Sequence, residues 1–232
     1  MMLELDDVTS FYGKTPILQN VSLSVPEGSC FCVLGKNGVG KTTLMRTVMG
    51  LTTRITGKLS IAGRDATRQP TFERAVAGVG YVPQGRGILG KFTVRENIQL
   101  GTFASGDATH GVPPLCLELF PYLAENLDKR AGHLSGGQQQ QLAIARALAT
   151  DPKVLLLDEP TEGIQPNIVK EIEQTLRRLN KEIGLTLILT EQHIKVAREL
   201  SDHFAVLENG RVVDSGPIAA LTDELVERHL TI

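Results

Sequence analysis

The chain has 232 residues, of which 41% are hydrophobic and 22% charged, and 24 basic against 26 acidic side chains leave a formal net charge of −2. A chain of this length can form one large α/β domain that buries most of its apolar surface. The balanced charge, with no run of five or more like charges, argues against non-specific nucleic-acid binding, so we expect no nucleic-acid partner.

Cysteine usage and the N-terminus both bear on the cellular compartment. The three cysteines fit neither a disulfide framework nor a zinc-binding pattern, so we interpret them as buried thiols in a reducing compartment. The N-terminus has no signal-peptide pattern, and no stretch of the sequence approaches the roughly 20 apolar residues that a membrane helix needs. We therefore expect a cytosolic protein that does not itself cross a bilayer.

The first predicted elements are two short segments in which apolar and polar residues alternate. Residues 3–8 and 21–25 have this pattern between glycines and prolines, which predicts half-exposed antiparallel strands. Phe11 and Tyr12 lie between them in a chain that is only 4% aromatic. These side chains could stack on a nucleotide base or be ordinary core or edge aromatics, and the two interpretations are equally compatible with the residues.

A glycine-rich loop follows the apolar run 30–34 and precedes the helix-forming run 43–49. It matches the phosphate-binding pattern G-x-x-x-x-G-K-[ST] and consists of Gly35, Lys36, Asn37, Gly38, Val39, Gly40, Lys41 and Thr42. The glycines let the backbone approach phosphate groups, and N–H groups at a helix N-terminus can bind them. Lys41 would add positive charge at the β- and γ-phosphates, and Thr42 would offer a hydroxyl to Mg²⁺. The loop therefore predicts a nucleoside triphosphate site.

The middle of the chain changes from strands to helices. Short strands are predicted at 57–63 and 79–83, and the second ends directly before Gln84. Residues 94–148 are predicted to be mostly helical, with a loop at 101–114 where Gly, Pro, Ser, Thr and Asp cluster. This region has the pattern of a helical insertion.

A second candidate anion-binding site lies at the start of the last helix in this region. Ser135, Gly136, Gly137 and Gln138 lead into a strong helix-forming run, and Ser135 occupies the N-cap position. Backbone N–H groups and the helix dipole favour an anion there. A capped helix after a flexible turn would have the same pattern, so this interpretation depends on the phosphate loop upstream.

An apolar run at 154–157 predicts a buried parallel strand that ends in Asp158 and Glu159. Folds of the α/β class place ligand chemistry at such strand ends. Asp158 can support Mg²⁺, and Glu159 can orient or deprotonate a water molecule at the γ-phosphate. These two acids are therefore candidates for the chemistry of phosphoryl transfer.

The last part of the chain continues to alternate helix and strand. We predict a helix at 168–183, a strand at 185–190 followed by Glu191, Gln192 and His193, a hairpin with an Asn-Gly turn at 204–213, and a helix at 218–230.

Together these motifs resemble the ATP-binding subunit of ABC transporters over essentially the whole chain. The motifs are Tyr12, the loop from Gly35, Gln84, LSGGQ from Leu134, VLLLDEP from Val154, and Glu191-Gln192. LSGGQ after a phosphate loop is highly specific, because other P-loop ATPases lack it. The resemblance implies an α/β fold with a P-loop NTPase (RecA-like) core. An N-terminal antiparallel β subdomain and the start of the core would span about 1–84, an inserted helical subdomain about 85–150, and the rest of the core 151–232.

The resemblance also implies roles for individual residues. Tyr12 would stack on adenine, Gly35 to Thr43 would cradle phosphate and Mg²⁺, and Gln84 would sense the metal and couple to a permease. Ser135 to Gln138 would bind the γ-phosphate of ATP held by a second subunit. The catalytic set would be Lys41, Gln192 and Glu159 as the base, with Thr42, Gln84 and Asp158 around the metal.

Two positions depart from the family pattern. Gly163-Ile164-Gln165 stands where Ala-Leu-Asp is usual at a contact between subunits. Gln192 stands where a His that senses the γ-phosphate is usual, and His193 comes one place later. An amide can donate to a phosphate oxygen and accept from a water molecule. We therefore interpret Gln192 as the sensor and His193 as an ordinary helix-start residue.

The function that the resemblance implies is the ATPase motor of an importer, with ATP and Mg²⁺ as cofactors. Its expected partners are two transmembrane permease subunits, a second ATPase subunit that is a copy or a related chain, and indirectly a solute-binding protein. It would lie peripherally at the cytoplasmic face of the inner membrane. YVPQGR, FTVRENIQLG and DEPTEGIQP look like the branched-chain amino acid and urea branch, and LSGGQQQQLAIARAL with EGIQP looks most like the urea subunit. Urea is the expected solute, and branched-chain amino acids are the alternative.

Two other classes fit the sequence less well. Soluble ABC ATPases of DNA repair carry long coiled coils, and those of translation carry two tandem cassettes. This chain has neither feature. A P-loop kinase or GTPase would share the loop, but LSGGQ and the lack of a guanine-reading Asn-Lys-x-Asp stretch argue against that class.

Overall fold

The computed structural model describes residues 1–105 and 111–230. Its strands are β1 (Leu3–Tyr12), β2 (Thr15–Val25), β3 (Cys30–Leu34), β4 (Arg54–Ile61), β5 (Arg64–Asp65), β6 (Val79–Val82), β7 (Val154–Asp158), β8 (Thr186–Glu191), β9 (His203–Glu208) and β10 (Arg211–Pro217). Its helices are α1 (Lys41–Met49), α2 (Thr71–Val76), α3 (Val94–Ser105), α4 (Pro114–Leu119), α5 (Pro121–Glu125), α6 (Gly136–Leu148), α7 (Pro166–Lys181), α8 (Ile194–Leu200) and α9 (Asp223–His229), with 3₁₀ turns at Ala131–His133 and Ile218–Ala220.

The strands form two sheets, which confirms the predicted α/β fold. One sheet has the order β2-β1-β4-β5 and is antiparallel. The other has the order β10-β9-β3-β8-β7-β6, in which β9, β3, β8, β7 and β6 run parallel and β10 pairs antiparallel with β9. The helices from α3 to α6 lie in the chain between β6 and β7, as expected of a helical insertion. The boundaries near residues 84 and 150 stay predictions.

Two apolar clusters fill the two sides of the parallel sheet. On β3, Cys30, Cys32 and Leu34 pack with residues of the helices, whereas Phe31 and Val33 pack with residues of the antiparallel sheet and α1. The central strand is therefore buried on both faces, which is why its sequence is continuously apolar. The three free cysteines are buried as predicted, and burial raises the pKa of Cys30 and Cys116 to about 12.

The two N-terminal strands are longer than the alternation of their residues predicted. The pattern stops at Val8 because the pairing of β1 with β2 is irregular between Leu5 and Val8. Asp7 and Asn20 both have φ of 52°, and Asn20 Nδ2 donates to Asp7 Oδ1 at 2.6 Å. This side-chain pair stabilises an irregularity that breaks the period of two, after which the strands continue to the turn at Gly13.

The predicted loop at 101–114 is wrong at its start, because α3 continues to Ser105. Gly101 belongs to this helix. A Cβ at this position would lie 2.2 Å from Arg146 O and 2.9 Å from Ala149 Cβ on the neighbouring helix. Glycine is therefore present so that α3 and α6 can approach closely, not as a helix breaker. Residues 106–110 of the predicted loop lie outside the described part of the chain.

The C-terminal helix predicted at 218–230 is divided into two parts. A 3₁₀ turn covers Ile218–Ala220, and α9 begins after Thr222, whose hydroxyl accepts a hydrogen bond from the Leu225 N–H. The amphipathic pattern runs through both parts, but an N-cap residue starts a new helix at this point. By contrast, the Asn-Gly hairpin is confirmed, with φ of 46° at Asn209 and 77° at Gly210.

The order of the parallel strands places the candidate residues at one edge of the sheet. Leu34 at the end of β3 lies beside Glu191 at the end of β8, and Asp158 at the end of β7 lies beside Thr190. Carboxyl ends of parallel strands are where α/β folds bind ligands. In the part of the chain that the structure describes, no helix is long and apolar enough to span a membrane.

Candidate active site

The glycine-rich loop connects β3 to α1, as predicted. Gly38 and Gly40 have φ of 82° and 112°, which are conformations that glycine adopts without a steric cost. A Cβ on Gly35 would lie 2.6 Å from Leu207 O. No side chain caps the N-terminus of α1 at Gly40, so its first backbone N–H groups can bind an anion.

Lys41 lies at the end of this loop and contacts both the loop backbone and Glu159, which follows β7. Its Nζ donates to Gly35 O at 2.7 Å and Lys36 O at 3.0 Å, and it forms an ion pair with Glu159 Oε1 at 2.9 Å. The side chains of Lys41 and Glu159 are 4% and 6% exposed. A buried charge pair of this kind is strongly coupled, because each charge has lost most of its hydration.

Glu159 is held from three directions. It follows β7 with φ of 49°, and its N–H donates to Thr190 Oγ1 at 3.0 Å and Thr190 O at 3.2 Å. Its Oε2 accepts from Gln84 Nε2 at 3.1 Å, and Gln84 also donates to Glu162 Oε2 at 2.8 Å. The structure thus brings Lys41, Gln84 and Glu159 together, as the motifs predicted.

Asp158 has one oxygen in use and one without a direct hydrogen bond. Its Oδ1 accepts from Thr190 Oγ1 at 2.7 Å, whereas Oδ2 is buried and makes no direct hydrogen bond. The Tyr81 hydroxyl lies near this carboxylate, and burial together with the charge of Asp158 raises the pKa of Tyr81. A buried orphan carboxylate oxygen is unfavourable unless a cation or water completes its environment. Residues 1–105 and 111–230 contain no group of three or more His, Cys, Asp or Glu that could hold a metal. One carboxylate suits Mg²⁺, which takes its remaining ligands from phosphates and water.

Tyr12 lies at the end of β1 and is 36% exposed. The Arg46 guanidinium of α1 lies 5.6 Å from the ring centroid. Phe11, the other aromatic of the pair, has the Arg54 guanidinium 3.9 Å from its ring centroid. Tyr12 is therefore the aromatic next to the loop helix, and its stacking on adenine stays a prediction.

The segment Ser135 to Gln138 caps α6. Ser135 Oγ accepts from the Gln138 N–H at 3.3 Å, and Gln138 Oε1 accepts from the Ser135 N–H at 2.9 Å, which confirms the predicted N-cap. A Cβ on Gly137 would lie 2.5 Å from Ile168 Cγ2, so this glycine permits α6 to approach α7. Gln139, the residue after this segment, accepts from Nη1 of Arg86 at 3.2 Å, and Arg86 follows Gln84 by two residues.

Gln192 and His193 lie between β8 and α8. Gln192 is exposed, and His193 is the N-cap residue of α8 and lines a groove with Thr161 and Gly163. Both side chains are exposed, and the groove is lined by His193. Their assignment as sensor and helix-start residue stays a prediction.

The motif analysis assigned no role to three residues that organise this site, Thr161, Thr190 and Glu191, although two of them lie within motifs quoted above. Thr190 binds Asp158 and the Glu159 backbone, and the Thr161 hydroxyl donates to Glu191 Oε1 at 2.8 Å. The only signal in the sequence is that two polar residues, Thr190 and Glu191, end an apolar strand. Their partners come from a distant part of the chain, so the spacing of motifs does not reveal them.

Comparisons with known proteins place this geometry in a family. The model of the ABC transporter family matches residues 18–162. The high-affinity branched-chain amino acid transport ATP-binding protein BraG of Pseudomonas aeruginosa is 40% identical over 221 residues, which are 95% of this chain and 94% of that protein. The Nod factor export ATP-binding protein I of Rhizobium meliloti is 38% identical, over 97% of this chain and 67% of that protein.

Solved structures agree with this placement. The ATP-binding cassette MJ0796, in a dimeric post-hydrolysis state bound to ADP and Pi, superposes with a TM-score of 0.82 at 29% identity and covers 94% of this chain and 99% of that one. The ADP conformation of the cassette MJ1267 has a TM-score of 0.79 at 26% identity and covers 97% of both chains. This chain therefore belongs to the ABC transporter family, as an ATP-binding subunit of the kind whose ATPase activity is coupled to transport.

Proposed function

We propose that this chain is the ATP-hydrolysing motor of an importer for branched-chain amino acids. The observation that carries the motor assignment is the buried contact of Lys41 with Glu159 at the end of the glycine loop, beside the orphan oxygen of Asp158. This arrangement combines a phosphate-binding cation, a carboxylate for the attacking water and a carboxylate for a metal. The solute assignment has a different basis, which is similarity to a relative.

Phosphate binding would use the loop backbone, the N-terminus of α1 and Lys41. Lys41 pairs with Glu159 in this structure, so the phosphates of ATP would compete with that carboxylate for the ammonium group. When Lys41 moves to the phosphates, Glu159 loses its cation and can accept a proton from water. Gln84 Nε2 holds the second oxygen of Glu159 and would orient the carboxylate.

The residues present fit a Mg²⁺ ion that arrives with ATP. Asp158 Oδ2 makes no direct hydrogen bond and could bind the metal, and Thr42 and Gln84 would complete the protein's share of the ligands. The metal would neutralise charge on the phosphate oxygens. Thr190 fixes the Asp158 carboxylate through Oδ1, which leaves Oδ2 oriented for this role.

A second subunit would complete each site. Ser135 to Gln138 cap α6, a separate helix from α1, and would bind the γ-phosphate of ATP held by the partner. The dimeric MJ0796 structure supports pairing, because that relative holds ADP and Pi as a dimer. The partner would be a second copy or a related ATPase, with Gly163-Ile164-Gln165 at the contact between them.

Permease subunits would dock near Gln84, at the cytoplasmic face of the inner membrane. Leu89 and Phe92 in the segment after Gln84 and Phe103 on α3 are 42%, 43% and 65% exposed. These side chains would form part of the surface that contacts the permease. Movement of the permease would then reach Glu159 through Gln84, and a solute-binding protein would deliver the solute.

The comparisons support the alternative solute over the first expectation. BraG, a relative of nearly the same length, is described as a branched-chain amino acid transport protein. The relatives reported above include no urea transporter, so the preference for urea rests only on short motifs. Branched-chain amino acids are therefore the solute that we propose.

The motor assignment predicts different effects at the two ends of the ion pair. We expect Glu159→Gln to lower ATP turnover by about a hundred-fold or more, because it removes the base, while ATP still binds. Lys41→Ala should weaken ATP binding itself. Calorimetry and hydrolysis assays measure both effects, with Glu162→Gln as a control that changes a second carboxylate bonded to Gln84. Normal turnover in Glu159→Gln would reject Glu159 as the base.

The sensor assignment predicts an order of effects for two adjacent residues. Gln192→Ala should slow hydrolysis by about ten-fold, the scale of one lost transition-state hydrogen bond, whereas His193→Ala should have little effect. Hydrolysis rates from pH 5.5 to 8 provide the test. A larger effect of His193→Ala, or the loss of an acid limb in that variant alone, would reverse the assignment.

The solute assignment predicts which compound stimulates the assembled transporter. The complex of this chain with its permeases, in vesicles with the solute-binding protein, should hydrolyse ATP faster when leucine, isoleucine or valine is added, and urea should have no effect. The same complex with Lys41→Ala is the inactive control. Stimulation by urea without stimulation by leucine would overturn the proposal in favour of urea.

A further inference from the structure

Glu191 is a buried carboxylate that the ATPase motifs do not explain. It is the last residue of β8 and is 1% exposed. Its Oε1 accepts from the Thr161 hydroxyl at 2.8 Å, and the backbone N–H groups of Gln192 and His193 lie near the carboxylate. These groups are neutral, although burial of a carboxylate is usually compensated by a cation.

The partners of Glu191 lie on the two segments that carry the proposed chemistry. Thr161 follows Glu159 by two residues, and Gln192 follows Glu191 directly. Thr190 already holds the N–H of Glu159. The end of β8 therefore forms hydrogen bonds with the segment 159–161 at two points, the backbone of Glu159 and the hydroxyl of Thr161.

These hydrogen bonds are needed because the Glu159 backbone is strained. A non-glycine residue with φ of 49° persists only where its surroundings hold it. If the segment 159–161 relaxed, the carboxylate of Glu159 would move away from Lys41 and Gln84. The bond from Thr161 to Glu191 is the side-chain contact that opposes this movement on the C-terminal side of Glu159.

We propose that Glu191 is a positioning residue for ATP hydrolysis, which through Thr161 holds the segment that carries Glu159 against the turn that carries Gln192. The inference rests on the proposed role of Glu159 as the base. It adds a residue that acts on the reaction without touching ATP. The catalytic groups of two neighbouring strands would thereby move as one unit.

The electrostatic surroundings of Glu191 favour a functional role over a purely structural one. Burial, with a smaller contribution from the charge of Glu159, raises its pKa from 4.5 to about 7. The other titratable groups nearby are Cys32 on β3 and Lys41, which lies near Cys32 and pairs with Glu159. The folded state therefore binds more protons than the unfolded state between about pH 4.5 and 7. The free energy of unfolding decreases as the pH rises through this window, so the ionised Glu191 destabilises the folded state.

The first experiment tests the Thr161–Glu191 bond with matched variants of the full chain. Thr161→Val and Glu191→Leu should each lower kcat by about ten-fold and leave the dissociation constant of ATP within about two-fold, because each change removes the bond and neither residue binds ATP. Thr161→Ser should restore most of the turnover lost in Thr161→Val. Thr186→Val is the control, since Thr186 is a buried threonine at the far end of β8 whose hydroxyl accepts from the Gly28 N–H.

A double variant separates a shared bond from two independent defects. Thr161→Val combined with Glu191→Leu should be no slower than the slower single variant, because both changes remove the same contact. A double variant whose loss of turnover equals the product of the two single losses would contradict the proposal. So would unchanged turnover in both single variants, or a loss in Thr186→Val as large as that in Thr161→Val.

Stability and pH profiles give a readout that a structural role would not produce. Glu191→Gln removes the charge but keeps an oxygen that can accept from Thr161. It should unfold at the same or a higher temperature than the wild type at pH 8, where the wild-type carboxylate is ionised, and it should hydrolyse ATP faster than Glu191→Leu. Any acid limb near pH 7 in wild-type turnover should be absent in Glu191→Gln. A Glu191→Gln variant that is less stable at pH 8, or that keeps the limb, would overturn the proposal. Glu159→Gln is measured alongside, because normal turnover in that variant would instead reject the base assignment.

Discussion

The buried ion pair between Lys41 and Glu159 is the interaction on which the rest of the site depends. It joins the helix after β3 to the residue after β7, two strands that are not neighbours in the sheet but flank β8. Removing one partner of a buried pair typically costs about 3–5 kcal/mol, because the other charge is left without compensation. Lys41 can therefore leave Glu159 only for a partner at least as strong, and the phosphates of ATP are such a partner.

The strand between these two residues explains how the site is held. β8 ends in Thr190 and Glu191, and their side chains bind Asp158, the Glu159 backbone and Thr161. The polar end of β8 thus bonds to the end of β7 and to the residues that follow it. On its other side β8 pairs with β3, which leads into the glycine loop. In this strand order the ends of β3 and β7 lie on either side of β8. The phosphate loop, the metal-binding acid and the base are therefore close in space although they are far apart in the chain.

Much of this arrangement could be predicted from the sequence because its signals are local. The glycine loop, the N-cap at Ser135, the apolar strand before Asp158 and the Asn-Gly hairpin each depend on residues that are adjacent in the chain. The errors have non-local causes. The glycine at position 101 permits the close approach of Arg146 on another helix, so it does not mark a loop. The contact of Thr161 with Glu191 joins residues that are far apart in the chain. The solute has no signal in this chain's site, because residues that bind phosphate do not contact it.

We expect the phosphates of ATP to displace Glu159 from the ammonium group of Lys41. The most direct measurement is a crystal structure of the wild-type chain with Mg²⁺ and a non-hydrolysable ATP analogue, in which the distance from Lys41 Nζ to Glu159 Oε1 is compared with the present 2.9 Å. We expect this distance to exceed about 4 Å, beyond the range of an ion pair, with Nζ at about 3 Å from a phosphate oxygen. A nucleotide bound with the Lys41–Glu159 pair unchanged would contradict the account.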